Sequence, residues 1–228
     1  MTEAEWLAAS DPGRMLIVAT RIRSSFRKLQ LLACLCGERV KERLWRKGSR
    51  AAVETLARFL DGSASDNDLR VAHDAARADW EVIIADASEQ RWYYLQEYAA
   101  EVAYRSSSPN LTEPVLQHVL IRQRESIGLA AEQEAEAIDG ERNAQAGWLR
   151  DIFGNPFRPV SFDPSWRTST VVALADQMYE ARDFTPMPVL ADALQDAGCD
   201  RDAILDHCRG DGPHVRGCWV VDLVLGKE

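Results

Sequence analysis

No stretch of this sequence stays apolar for long. Its apolar runs, such as Trp219-Val220-Val221, fall far short of the roughly 20 residues a helix needs to cross a bilayer. The first residues, Met1-Thr2-Glu3-Ala4-Glu5, are acidic and lead into no apolar segment, so no signal peptide is expected. A disulfide framework is missing too: five cysteines is an odd number, and their spacing is irregular. A reducing, cytoplasmic setting fits that usage. Signatures of named chemistry are also lacking. There is no Walker loop, no dinucleotide glycine fingerprint, no G-x-S-x-G elbow and no H-E-x-x-H. His73 and Asp74 are adjacent, but neighbours on a helix point apart, so spacing makes them no dyad. These absences leave no positive reason to name an enzyme.

What is present is material for a core. Apolar residues make up 46% of the 228 positions, enough to exclude wholesale disorder. The net charge of -9 favours solubility and argues against binding nucleic acid over the whole surface. No series of alternating strands with hairpin turns is visible. The helical period dominates instead. Thr2-Glu3-Ala4-Glu5 fits a capping box, and Asp11-Pro12 fits a helix start. Phe26, Leu29, Leu32, Ala33 and Cys36 recur at i, i+3, i+4 spacing, as do Ala52, Val53, Leu56 and Leu60 before Asp61-Gly62. Further helices are expected after Ser65-Asp66-Asn67-Asp68, through Trp92, Leu95, Tyr98 and Val102, and from Thr112-Glu113-Pro114. Residues 132–142 are charged and Ala-rich and read as an exposed helix. The sequence therefore predicts an all-α protein.

Phe153-Gly154-Asn155-Pro156-Phe157-Arg158-Pro159 is a break that no regular helix can contain. It divides the chain into a long-helix region, 1–150, and a short-helix region, 151–228. Helices are expected at 166–180, 188–197, 201–208 and 215–225. Cys218-Trp219-Val220-Val221-Asp222-Leu223-Val224 is rich enough in β-branched residues for a strand to compete there.

Several segments form a recognisable set: Met1-Thr2-Glu3 with Glu5-Trp6-Leu7 at the start, and Ala33-Cys34-Leu35-Cys36. In the C-terminal third they are the break motif itself, Leu190-Ala191-Asp192-Ala193-Leu194, His207-Cys208-Arg209, and Gly212-Pro213-His214-Val215-Arg216-Gly217-Cys218-Trp219. In these segments the chain resembles an uncharacterised bacterial family that occurs in many copies in large genomes. The resemblance implies no activity.

Three features bear on chemistry. Cys199, Cys208, His214 and Cys218 give C-x8-C-x5-H-x3-C, with His207 as an alternative ligand. Thiolates and imidazoles are zinc's donors, and four of them would make a closed, structural site. His214 and Cys218 stand at i, i+4, which on a helix is one face. The competing reading buries these cysteines as small hydrophobes, and it is the favoured one. Arg209, His214 and Arg216 around the Gly212-Pro213 turn could bind an anion, or could be ordinary surface charge. Residues 14–50 hold eleven Lys and Arg, among them Arg14, Arg23, Arg39, Lys41 and Arg46, against Glu38 and Glu42. That is +9, leaving -18 for the rest. Such a face could track phosphates. It could equally pair with an acidic partner or with the chain's own Glu132, Glu134, Glu136, Asp139 and Glu141.

Three functional readings follow: a non-enzymatic helical interaction module with a protein partner; a zinc-stabilised protein binding an anionic ligand or nucleic acid through 14–50; and an enzyme with a site near Asn155 and the His207–Cys218 turn. The first is preferred.

Overall fold

The computed structural model of the chain describes residues 1–22, 25–85 and 91–227, and only the backbone of Arg91 and Trp92. Arg23, counted in the basic segment, and the Trp92 side chain lie outside the described residues. Among the described residues the chain forms twelve α-helices and no strand. No helix among them is long and apolar enough to cross a membrane. Two compact units result, one of Ser10–Ala146 and one of Met1–Ala9 with Gly147–Glu228.

The first unit is built from α2 (Pro12–Ile22), α3 (Phe26–Val40), α4 (Lys47–Leu60), α5 (Asp66–Ala85), α6 (Arg91–Ser106), α7 (Glu113–Ala130) and the beginning of α8 (Glu134–Phe153). Asp11 Oδ1 accepts from the Gly13 and Arg14 amides, so Asp11-Pro12 starts α2 as its sequence demands. α4 ends where Asp61-Gly62 requires, with Gly62 at φ +73°. The start of α4 lies on α5. Asp79 accepts from the Ser49 amide at 2.8 Å, satisfying one orphan N–H of the first turn. Gly48 permits the approach, because a Cβ there would stand 2.8 Å from the Ala75 carbonyl oxygen.

Buried carboxylates tie the long helices together. Glu101 on α6 accepts from Arg105 Nε at 2.8 Å, Arg122 Nε at 2.9 Å and His118 Nε2 at 2.9 Å, the last two on α7. Residues 134–140 are exposed or half-buried, as their composition predicts, but Glu141 is buried. It accepts from Gln123 Nε2 at 2.8 Å and pairs with Arg39. A basic residue of the 14–50 segment thus meets one of the acidic residues that the sequence offered it. Lys41 also lies 3.3 Å from Glu54, and Arg46 lies 3.5 Å from Asp79.

The second unit holds α1 (Glu3–Ala8), the last turns of α8, α9 (Ser169–Ala181), α10 (Met187–Asp196), α11 (Asp202–Arg209) and α12 (Trp219–Leu225). α1 starts with the expected capping box between Thr2 and Glu5. The sequence division keeps residues 1–9 with the long helices, whereas α1 belongs to this unit, and polar contacts explain why. The Arg150 guanidinium donates to the Trp6 and Ala9 carbonyls at the end of α1. Glu3 accepts from Asn155 Nδ2 at 2.7 Å and meets Arg158 Nε at 2.6 Å. The 153–159 break is therefore where α1 is clipped, with Gly154 at φ +66° just beyond the end of α8.

Val171, Met178, Met187, Leu190, Ile204, Val220 and Val221 are among the side chains that fill this unit's core. The strand alternative for Cys218-Trp219-Val220-Val221 does not form. Residues 219–225 are helical, and Arg167 donates to the Leu223 and Val224 carbonyls at the end of α12.

Candidate metal centre

The last turns of α8 read Trp148-Leu149-Arg150-Asp151-Ile152-Phe153, with Leu149, Ile152 and Phe153 fully or nearly fully buried. Burial on every side leaves Asp151 only 2% exposed. A carboxylate in that position needs partners, and the second unit supplies them from residues 207–218. Asp151 Oδ1 lies 3.1 Å from His207 Nε2 and 3.1 Å from His214 Nδ1. Asp151 Oδ2 accepts from the Val215 amide at 2.8 Å. His207 Nε2 also lies 3.2 Å from Cys218 Sγ. The ligand atoms of Asp151, His207, His214 and Cys218 all lie within 4.8 Å of one another.

Each side chain reaches the cluster from a different piece of backbone. Asp151 comes from the end of α8 and His207 from the last turn of α11. His214 sits in a connection without regular structure, and Cys218 is the residue before α12. The predicted helix over 215–225 therefore starts later, at Trp219, so His214 and Cys218 do not share a helical face. They converge because the chain turns: the Cys218 amide donates to the Val215 carbonyl at 2.9 Å, and Gly217 takes φ +93°.

The electrostatics follow from burial and pairing. Burial pushes Asp151 toward its neutral form, but hydrogen bonds from His207 and His214, the charge of His207 and the Val215 amide outweigh it. The carboxyl is held below the usual range. The hydrogen bond to Asp151 raises His214 against the opposing effect of burial. Its Nε2 is buried without a full hydrogen bond, and the Gly210 backbone is its polar neighbour. Cys218 is 0% exposed, and burial, then the Asp151 charge, push its thiol well up.

This arrangement is not a nucleophilic relay. A Cys–His–Asp relay uses both imidazole nitrogens, one toward the thiol and one toward the carboxylate. Here the same atom, His207 Nε2, faces both Cys218 and Asp151. A buried thiol with a raised pKa is also the inert kind. The group could instead hold a metal ion. Donors about 2.0–2.3 Å from a tetrahedral ion stand roughly 3.3–3.8 Å apart. The 3.1–3.2 Å separations fall just short of that range, so the donors would spread by a few tenths of an ångström around an ion. The Val215 amide fixes the orientation of the carboxylate, as outer partners of metal ligands do.

Of the residues expected from the sequence, His214, Cys218 and the alternative His207 meet. Cys199 and Cys208 lie apart from the ligand group and belong to the hydrophobic core, where burial drives the Cys208 thiol up to about 12. The three anion candidates each have other engagements. Arg209 donates to Asp192 at 2.8 Å and to Gln195 at 2.7 Å, His214 is held by Asp151, and Arg216 lies over the Tyr179 ring at 4.9 Å. Asn155 donates to Glu3 and accepts from the Phe157 amide, and it is not one of the four residues of the ligand group. Asp151, which no motif in the sequence marks, completes the group. No family model, curated protein or solved structure matches this chain.

Proposed function

We propose that this chain is a non-enzymatic helical interaction protein whose C-terminal unit is fastened by a structural zinc ion. The observation that carries the reading is the convergence of Asp151, His207, His214 and Cys218 on one buried point. One thiolate, two imidazoles and one carboxylate form a borderline-soft set that suits zinc better than magnesium or calcium, which take oxygen. Four protein donors fill a tetrahedron, and a filled tetrahedron leaves no position for substrate. That favours a structural role over a catalytic one.

The first unit carries the surface suited to a partner. Trp45 is 62% exposed beside the basic residues Arg46 and Lys47, with the Arg46 guanidinium 4.9 Å from its ring. Tryptophan and arginine are the residues most enriched in interface hot spots. The pairing of Arg39, Lys41 and Arg46 with acids of the same unit weighs against a phosphate-tracking face.

Elemental analysis tests the metal. Protein purified without chelators is expected to carry about one zinc per chain, the stoichiometry of a single four-ligand site. Cobalt substitution should give the absorption of a tetrahedral thiolate complex, and Cys218→Ser should remove its sulfur-to-metal band. A chain that neither carries zinc nor takes up cobalt would end the reading.

A further inference from the structure

We infer that the bound ion acts as a latch on the connection formed by residues 210–217, and through it sets the shape of the apolar cleft beside that connection. The inference rests on the zinc reading above. Residues 210–217 have no regular structure and contain Gly210, Gly212, Pro213 and Gly217. Their neighbours do not hold them rigidly by secondary structure either, because α11 spans 8 residues and α12 spans 7. Helices that short take their stability from packing. Both do pack: Ile204, Leu205 and Cys208 on one side and Val220, Val221 and Val224 on the other belong to the core of the unit. The segment between them is tied differently. His207, His214 and the Val215 amide all reach one carboxylate, that of Asp151.

A metal ion converts these ties from hydrogen bonds into coordination bonds. It adds Cys218 Sγ to the same point, so ligands at both sides of the connection are fixed to the end of α8. Without the ion, His207 Nε2 cannot donate one proton to both Oδ1 and Sγ, and the hold on the connection weakens. The connection is also one wall of a cleft. Phe184, Met187 and Pro188 line one side, and Gly210, Gly212 and His214 line the other. When the latch releases, that second wall moves and the apolar side opens.

Arg216 offers the readout, because it is only 7% exposed and is a trypsin site. The full chain is digested with trypsin in its zinc-loaded form and after zinc removal by 1,10-phenanthroline, with cuts mapped by mass spectrometry. Cleavage after Arg216 is expected to rise at least about tenfold on zinc removal, since proteolysis follows the population of the open form. Zinc chloride should reverse it. Fluorescence of the apolar dye anilinonaphthalene sulfonate should rise in parallel as the cleft opens. Hydrogen exchange in α9 and α10 should stay protected. Zinc shown to be lost with no change at Arg216 would overturn the latch while leaving the zinc site intact. Loss of protection throughout α9 and α10 would overturn it as well, since the ion would then be holding the whole unit. A chain that never binds zinc fails at the earlier reading.

Discussion

Glu141 and Arg39 form a pair in which one partner is buried and the other is not. The Glu141 side chain is 6% exposed and that of Arg39 is 53% exposed. Exposure alone suggests that the arginine matters less. Charge accounting says the opposite. Arg39→Met leaves a buried carboxylate with the neutral Gln123 amide as donor, and a buried carboxylate stripped of its counter-charge costs about 3–5 kcal/mol, the lower end applying where the lost cation is half exposed. Glu141→Gln leaves a cation that can turn to water and keeps an acceptor for Gln123, at a cost of about 1–2 kcal/mol. Urea unfolding of the two variants should show the arginine substitution as the more damaging. Asp151 poses the same problem of a buried carboxylate, and it shows where sequence reading stops. Its flanks, Leu149, Ile152 and Phe153, already announce a helix end enclosed by apolar packing, which obliges Asp151 to find polar partners. Those partners lie 56 to 67 positions away in His207, His214 and Cys218, and helical periodicity carries no information over that separation. Spacing along the chain instead groups Cys199 and Cys208 with His214 and Cys218. Cys199 and Cys208 are buried for the ordinary reason that a free cysteine behaves as a small hydrophobe.

The helices themselves were legible because their signals are local. The capping box at Thr2 and Glu5, the Asp11-Pro12 start, the Gly62 stop and the 153–159 break all act within a turn or two, and all take the form their residues predict. The segment 214–218 was not legible in that way. Val215 and Cys218 continue a helical pattern into α12, but Gly217 at φ +93° interrupts it. Packing of the preceding connection on α8 then fixes where His214 goes. Gly147 is the contact point: a Cβ there would stand 2.8 Å from Pro213 Cγ. Gly147→Ala raises helix propensity by about 1 kcal/mol. It also forces Pro213 away, and an overpacked contact costs about 1–3 kcal/mol. Because Pro213 precedes His214, the displacement should be felt at the metal ligands. The expected result is weaker zinc binding, measured by competition with a chromophoric chelator, with little change in helix content by circular dichroism. Unchanged affinity would show that the connection adapts without moving His214.

At the scale of the molecule, the second unit is assembled from the two ends of the chain. Charge balance does not hold α1 in place by itself. Trp6 is fully buried, its carbonyl and that of Ala9 receive the Arg150 guanidinium, and Glu3 takes Asn155 and Arg158. Removing residues 1–9 deletes the buried tryptophan and leaves Arg150 without the two carbonyls that offset its desolvation. Burial already lowers the Arg150 pKa, so that loss falls on a group the fold holds at a cost. Loss of a buried tryptophan alone is worth about 3–5 kcal/mol, a large share of the stability of a small unit. Hydrogen exchange on the truncated chain should therefore show α9 to α12 opening more readily, while α3 to α7 keep their protection. Trp6→Ala in the full chain should reproduce most of the effect, because it removes the packing and keeps the carbonyls. If truncation weakened α3 to α7 as much as α9 to α12, α1 would be supporting both units, and its assignment to the second would have to be given up.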